Sequence, residues 1–292
     1  MRGDIYFLER IKRLVIVAMF ADDVLMEHLV LKGGNLLDVV YEVSTRASVD
    51  VDFSIDGEFH SEDELRYRIE RTLSRTFGED ELVPFDVSLR VVPPNLSDDL
   101  KMFWGGYKID FKIASQSDFD AFRHDIEQLR RHAFSVGKRG STRFRIDISK
   151  HEYCTGKQSQ IVDGFTVYSY SPAMLVGEKL RAICQQMPEY VATVRSHPRA
   201  RARDFLDIHT VTEHFSVDFA APEFQALVSK IFWVKRVPLE SIGKISSFRE
   251  YHRPDFEAVK ETVKPGIPLK VFDYYFDFVV SRCQLLKSLW HE

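Results

Sequence analysis

The stretch "LVLKGGNLLDVVYEVSTRASVDVDFSID", residues 29–56, decides the reading of this chain. An apolar, strand-like run ends in Gly33-Gly34, and a short helical pattern opening at Asn35, a good capping residue, comes next. Then Arg46, Ser48, Asp50 and Asp52 arrive at alternate positions, the acids set among β-branched residues. Alternation at period two is the mark of a strand, so Asp50 and Asp52 project from one face together.

Two neighbouring carboxylates repel unless a cation, a proton or a basic group neutralises them. A hard divalent ion such as Mg²⁺ is held by a few carboxylates plus substrate phosphates. A pair of such ions can clamp the attacking and leaving oxygens of a phosphoryl displacement. A glycine turn opening a helix exposes backbone N–H groups to a triphosphate, and Lys32, Arg46 and Ser48 would add donors. A lone DxD is usually a surface strand and a lone Gly-Gly merely a turn. Their combination, about sixteen residues apart, raises the prior for function.

The third acid expected of such a site is Asp147, isolated among alternating apolar residues in "RFRIDIS"; Asp110 in "YKIDFKI" is its competitor. The segment "DFSIDGEFHSED", residues 52–63, imitates a calcium loop, but it follows a strand and ends in Asp, where a bidentate Glu is usual. A strand closing in an Asp56-Gly57 turn explains it better.

Composition sets the frame. The chain has 292 residues, 45% hydrophobic and 29% charged, the proportions of a globular protein. Its formal charge of -4 gives no general attraction to nucleic acid, although basic residues gather in 123–145 and in "RSHPRARAR", 195–203. Three widely spaced cysteines form neither a zinc pattern nor a disulfide framework, which predicts a reducing, cytoplasmic compartment. No stretch is long enough to span a bilayer as a helix.

The pattern predicts an α+β fold. Residues 1–170 alternate helices with strands in a mixed sheet, and 171–292 are mostly helical. The periodicity predicts helices at 5–28, from Ser61 to about 77, 117–134, 172–187, 199–215, 221–232, 254–263 and 270–290. In the helical half, Glu178 and Arg181 are three apart, and Arg203, Asp204 and Asp207 share a helical side. Lys179 is read as reaching the triphosphate, with Asp204 or Asp207 orienting it or the acceptor. The bland alternative is a set of surface salt bridges of little worth.

Taken in order, "LKGGNLL", "RASVDVDF" and "EKLRAI…RARDFLDI" resemble the AbiEii/AbiGii-type nucleotidyltransferases, toxins of type IV toxin–antitoxin systems within the DNA polymerase β-like superfamily. The resemblance covers roughly residues 29–210. It implies a nucleotidyltransferase core, Mg²⁺-dependent transfer of a nucleoside monophosphate from an NTP, an RNA acceptor (a tRNA 3′ end foremost) and a cognate antitoxin. It assigns Gly33 and Gly34 to the glycine turn, and Ser48, Asp50 and Asp52 to the metal-binding strand. Lys179 and Asp204 match the later helical motifs, with Asp147 as the remaining catalytic acid. Many superfamily members have Gly-Ser where this chain has Gly33-Gly34, whereas the AbiEii branch commonly has Gly-Gly. The alternative is a catalytically silent relative that only binds nucleotide or a partner.

Overall fold

The alternation of residues 51–55 becomes the middle strand of the molecule. A computed structural model describes residues 5–46, 50–135, 140–195, 197–264 and 266–290. Its strands are β1 Leu29–Lys32, β2 Val51–Ile55, β3 Leu82–Val92, β4 Gly106–Ser115, β5 Phe144–Ser149, β6 Gln158–Val162 and β7 Phe165–Ser169. They form one mixed sheet in the order β3-β4-β5-β2-β1-β7-β6. β2 runs antiparallel to β1 and parallel to β5. The architecture is α+β.

Strand alternation sorts the sheet into two chemically different faces. Val51, Phe53 and Ile55 of β2, Ile146 and Ile148 of β5, and Ile109 and Phe111 of β4 are buried on one side. The Ile5–Phe20 and Glu62–Gly78 helices cover them: Phe20 meets Phe53, and Phe77 meets Phe111 edge-on, each at a ring separation of 6.1 Å. Ser61 caps the second helix by accepting from the Glu64 amide, as its capping-box sequence predicts. The opposite face carries the charges. The Pro172–Cys184 and Ala202–Phe215 helices cover it near β1, through Lys32–Glu178 and Arg46–Asp207.

Several expected elements divide or shift. The 5–28 helix breaks where the Asp22 side chain accepts from the Val24 and Leu25 amides and starts a new helix, Asp23–His28. The 117–134 helix is two, Gln116–Phe122 and Ile126–His132, capped by Ser115 and Asp125. Residues 52–63 are a strand, a turn with Gly57 at φ +94°, and a helix start. The strand β6 escaped periodicity because "QSQIV" is polar and mostly exposed. Among the described residues no helix is long and apolar enough to cross a membrane. Cys154, Cys184 and Cys283 are free and buried.

Asn35 does not cap a helix. Helix geometry begins at Gly33, and residues Leu36–Val40 continue as a π-helical turn. The Asn35 amide instead donates to the Asp50 carbonyl at 2.5 Å, tying the glycine turn to the start of β2. Asp38, within the π turn, is buried between Lys12 at 3.1 Å and Lys264 at 2.5 Å.

Two long-range pairs attach the C-terminal helices to the charged face. Arg46 grips Asp207 bidentately at 3.0 and 2.7 Å, and both side chains are almost fully buried. Removing one member of such a pair leaves an uncompensated buried charge. Arg46→Ala is therefore expected to lower unfolding stability by about 3–5 kcal/mol. Replacing both residues by apolar side chains of similar volume should cost much less. Urea midpoints of the single and double variants check this.

Candidate active site

The site starts from a missing side chain. Gly33 sits at φ +72°, in the left-handed region that glycine tolerates best. A Cβ placed there would lie 2.3 Å from Asp52 Oδ2 and 2.9 Å from the Asp52 Cβ and Cγ. The carboxylate therefore packs against the turn itself.

Sheet register sets the rest. Lys32 on β1 faces Asp52 on β2, Asp52 faces Asp147 on β5, and Asp147 faces Lys108 on β4. Opposed residues share a face, so one row across four strands reads cation, acid, acid, cation. Both acids are half-buried. Burial pushes Asp52 up to about 6; Lys32 opposes this, while Asp147 and Glu178 add to it. Burial also raises Asp147; Lys108 opposes, and Asp50 and Asp110 reinforce it. Asp50 lies in a bend just before β2 and adds its charge to the same neighbourhood. Ser48 lies outside the described residues.

Asp110 is separated from this row. Its buried carboxylate is held by Arg90 and by Arg145 at 3.0 Å. Asp147 has a different environment. Its Oδ1 is buried without a hydrogen-bond partner, and the Lys108 ammonium stands 3.8 Å from it.

Among the described residues no three His, Cys, Asp or Glu side chains are placed to enclose a metal ion. A hard divalent ion needs only a few carboxylates when substrate phosphates complete its shell. Asp52 and Asp147, adjacent, partly desolvated and with an orphaned oxygen, fit that requirement as a pair.

The basic residues sort differently from the sequence reading. Lys32 points into a buried network, 2.6 Å from Glu178 and 3.4 Å from Glu152. Burial disfavours its charge, but the two glutamates outweigh that and raise its pKa. Lys179 is buried between Asp207 at 2.6 Å and Asp204 at 3.2 Å. Burial would raise both aspartates. Arg46 and Lys179 hold Asp207 down at about 2, and Arg201 and Lys179 lower Asp204. Lys179 and Arg46 are thus committed to Asp207 rather than open to a ligand. The exposed cation near Asp52 on this side is Arg203, whose charge acts on both Asp52 and Asp204.

Sequence reasoning missed Glu152 and Lys235. Glu152 is buried against Lys32, Arg181 and Lys235, which hold it ionised against the cost of burial. Burial pushes Lys235 down to about 8; it donates to the Lys150 carbonyl at 2.6 Å and lies over the Trp104 ring. No local spacing announces either residue, because their partners are far away in the chain. The Glu178–Arg181 spacing was a signal, and it becomes a 3.6 Å ion pair within this network.

The family model "Nucleotidyl transferase AbiEii toxin, Type IV TA system" matches residues 15–280. No curated protein matches the chain. Among solved structures, JHP933 from Helicobacter pylori is similar at 14% identity and a TM-score of 0.49, covering 97% of this chain and 91% of its own. An H. pylori protein described, by inference, as a nucleotidyltransferase is similar at 14% identity and a TM-score of 0.48, with 97% of each chain covered.

Two outcomes test the geometry. The Asp52 carboxyl, followed by ¹³C NMR, is expected to titrate near 6 and to move downward when Mg²⁺ is added, because a cation favours the ionised form. Its folded value lies above the unfolded one. Stability from this group is therefore full below about 4 and declines as pH rises towards 6, the sign opposite to a salt-bridged aspartate. A midpoint near 4 without cation would refute the burial argument. Gly33→Ala combines a positive φ with a Cβ inside the Asp52 carboxylate, so it should cost more than about 1 kcal/mol by denaturant melt. It should also shift the Asp52 titration.

Proposed function

The chain belongs to the AbiEii nucleotidyl transferase toxin family of type IV toxin–antitoxin systems, and on that premise we propose that it moves a nucleoside monophosphate from an NTP to an RNA 3′ hydroxyl, foremost that of a tRNA, with Mg²⁺ as cofactor. The family implies an NTP substrate and an antitoxin partner. The observation that carries the finer reading is the pairing of Asp52 with Asp147 across β2 and β5, beside the Gly33 turn, with Asp147 Oδ1 buried and without a hydrogen bond.

In this proposal the triphosphate lies over the turn at Gly33-Gly34, where backbone N–H groups donate to its oxygens. Asp52 and Asp147, with Asp50 contributing its field, would hold the divalent cation, which supplies charge neutralisation on the phosphates. The acceptor oxygen attacks the α-phosphorus, a new P–O bond forms, and pyrophosphate leaves. Asp147, whose Oδ1 has no hydrogen-bond partner, takes the hydroxyl proton. Arg203 and Lys108 are the half-open or exposed cations flanking the acids, and they balance the phosphates. Lys179 acts indirectly, by holding Asp204 and Asp207 in place.

A second reading, nucleotide binding without turnover, draws on the commitment of Lys179 and Arg46 to Asp207. One assay separates the two. Incubation with each α-labelled NTP, Mg²⁺ and total cellular RNA is expected to label RNA. Asp52→Ala and Asp147→Ala should each reduce labelling by about a hundredfold or more, with circular dichroism unchanged. NTP binding without label transfer to any acceptor would favour the silent reading. Transfer at the wild-type rate by the double variant would remove both acids from the site.

A further inference from the structure

The charged face does not stop at Asp147. Following β5 by two residues leads to Arg145, about 7 Å further along the strand. Arg145 is opposed on β4 by Asp110, and Asp110 on β3 by Ser88. In the row of Asp147, Lys108 is opposed by Arg90 on β3. The C-terminal helices, tied to Lys32 and Arg46, cover the β1 side of this face. Over β3 and β4, with Arg130 of the Ile126–His132 helix and Arg143 just before β5, the same face bounds a cavity of about 450 Å³.

Its lining includes four cations, Arg90, Lys112, Arg130 and Arg143, against two carboxylates, Asp86 and Asp110. Each acid is already satisfied. Asp110 receives Arg90 and Arg145, while Asp86 receives Arg130 bidentately at 2.8 and 2.7 Å and Lys112 at 3.4 Å. These acids, with Glu127 on Arg130 at 2.8 Å, orient the guanidinium groups, and Arg143 remains as unbalanced positive charge. Arg143 is exposed and has no acidic partner among the described residues, and the Arg90 side chain is 56% exposed.

A bland reading would make these surface ion pairs of little energetic worth. The backbone argues otherwise. β3 is irregular between Phe85 and Ser88, and Asp86 within that irregularity takes φ +56°, a conformation unfavourable for a residue with a Cβ. Bulges of this kind re-aim a side chain, and here the side chain is the one that fixes Arg130 and Lys112.

We infer that this basin is a second anion site, which holds the phosphodiester backbone of the RNA acceptor while its 3′ end lies at Asp147. The inference rests on the nucleotidyl-transfer reading above. Three of the four lining cations are arginines, whose planar fork matches phosphate oxygens. A chain with formal charge -4 must bind a polyanion through a local patch. The basic run at 123–145, diffuse as sequence, becomes specific here: Arg130 and Arg143 line the cavity and Arg145 holds Asp110 in its wall, while Arg123 and Arg131 are not in the lining.

The test uses a fluorescent 20-nucleotide single-stranded RNA of mixed sequence, followed by anisotropy between 50 and 200 mM salt with the full chain. Arg143→Glu and Arg90→Gln alter exposed side chains, and thermal melts verify folding. Each is expected to weaken RNA binding about tenfold and to reduce the salt slope by about one for each lost phosphate contact. NTP binding, measured without RNA, should be unchanged. RNA affinity and slope at wild-type values in both folded variants would overturn the basin while leaving nucleotidyl transfer intact. Absence of NTP binding and of label transfer in the wild type would instead fell the underlying reading. Displacement of the probe by polyglutamate but not by polyuridylate would give the basin to an acidic protein and also overturn the inference.

Discussion

Everything at the candidate site depends on the room that Gly33 leaves for Asp52. With no Cβ at position 33, the carboxylate settles against the turn, and the turn fixes where a ligand resting on its amides must lie relative to β2. The row Lys32, Asp52, Asp147, Lys108 then follows from hydrogen-bond register alone. Register is a discrete quantity: a one-residue slip would send every member of the row to the apolar face, against Phe20 and Phe77. The core on one side of the sheet therefore holds the chemistry on the other side in place.

The buried ion network does a second job. Asp207 is shared by Arg46 and Lys179, and Glu152 and Glu178 are shared by Lys32 and Arg181. Buried pairs are weak evidence for stability, since desolvation opposes the attraction. Their effect here is geometric. They dock two C-terminal helices over β1, while the Gln116–Phe122 and Ile126–His132 helices pack on Phe85 and Ala114 at the far end of β3 and β4. They also occupy the cations that sequence spacing would assign to a ligand, so that Lys108 and Arg203 remain beside the acids.

The sequence made some of this legible for definite reasons. Alternation located β2 and the face of Asp52, and isolation among apolar residues singled out Asp147. The glycine pair marked the turn. What stayed hidden needed long-range information. Asn35 looks like a helix cap because its type suits one, yet its amide serves the Asp50 carbonyl. Arg46 and Lys179 look like free cations because their partner, Asp207, is 161 and 28 residues distant. Glu152 sits in "KHEYC" with nothing local to mark it, and Lys235 in "FWVKRV" reads as an ordinary surface lysine. Three-dimensional partners, rather than neighbours in the chain, give these residues their character.

Asp38 carries a consequence for how the molecule is made. Its carboxylate, in the π turn that follows the glycines, is flanked by Lys12 and Lys264. On the ribosome, Lys12 precedes Asp38 by 26 residues, but Lys264 emerges 226 residues after it. Asp207, which neutralises Arg46, also arrives late. Until then the nascent chain holds acids and bases near the glycine turn that lack their final counterions, and burying them is unfavourable. Closure of the site thereby waits until residues 207 and 264 have been made, and a fragment stalled before residue 207 would lack the charges that close it.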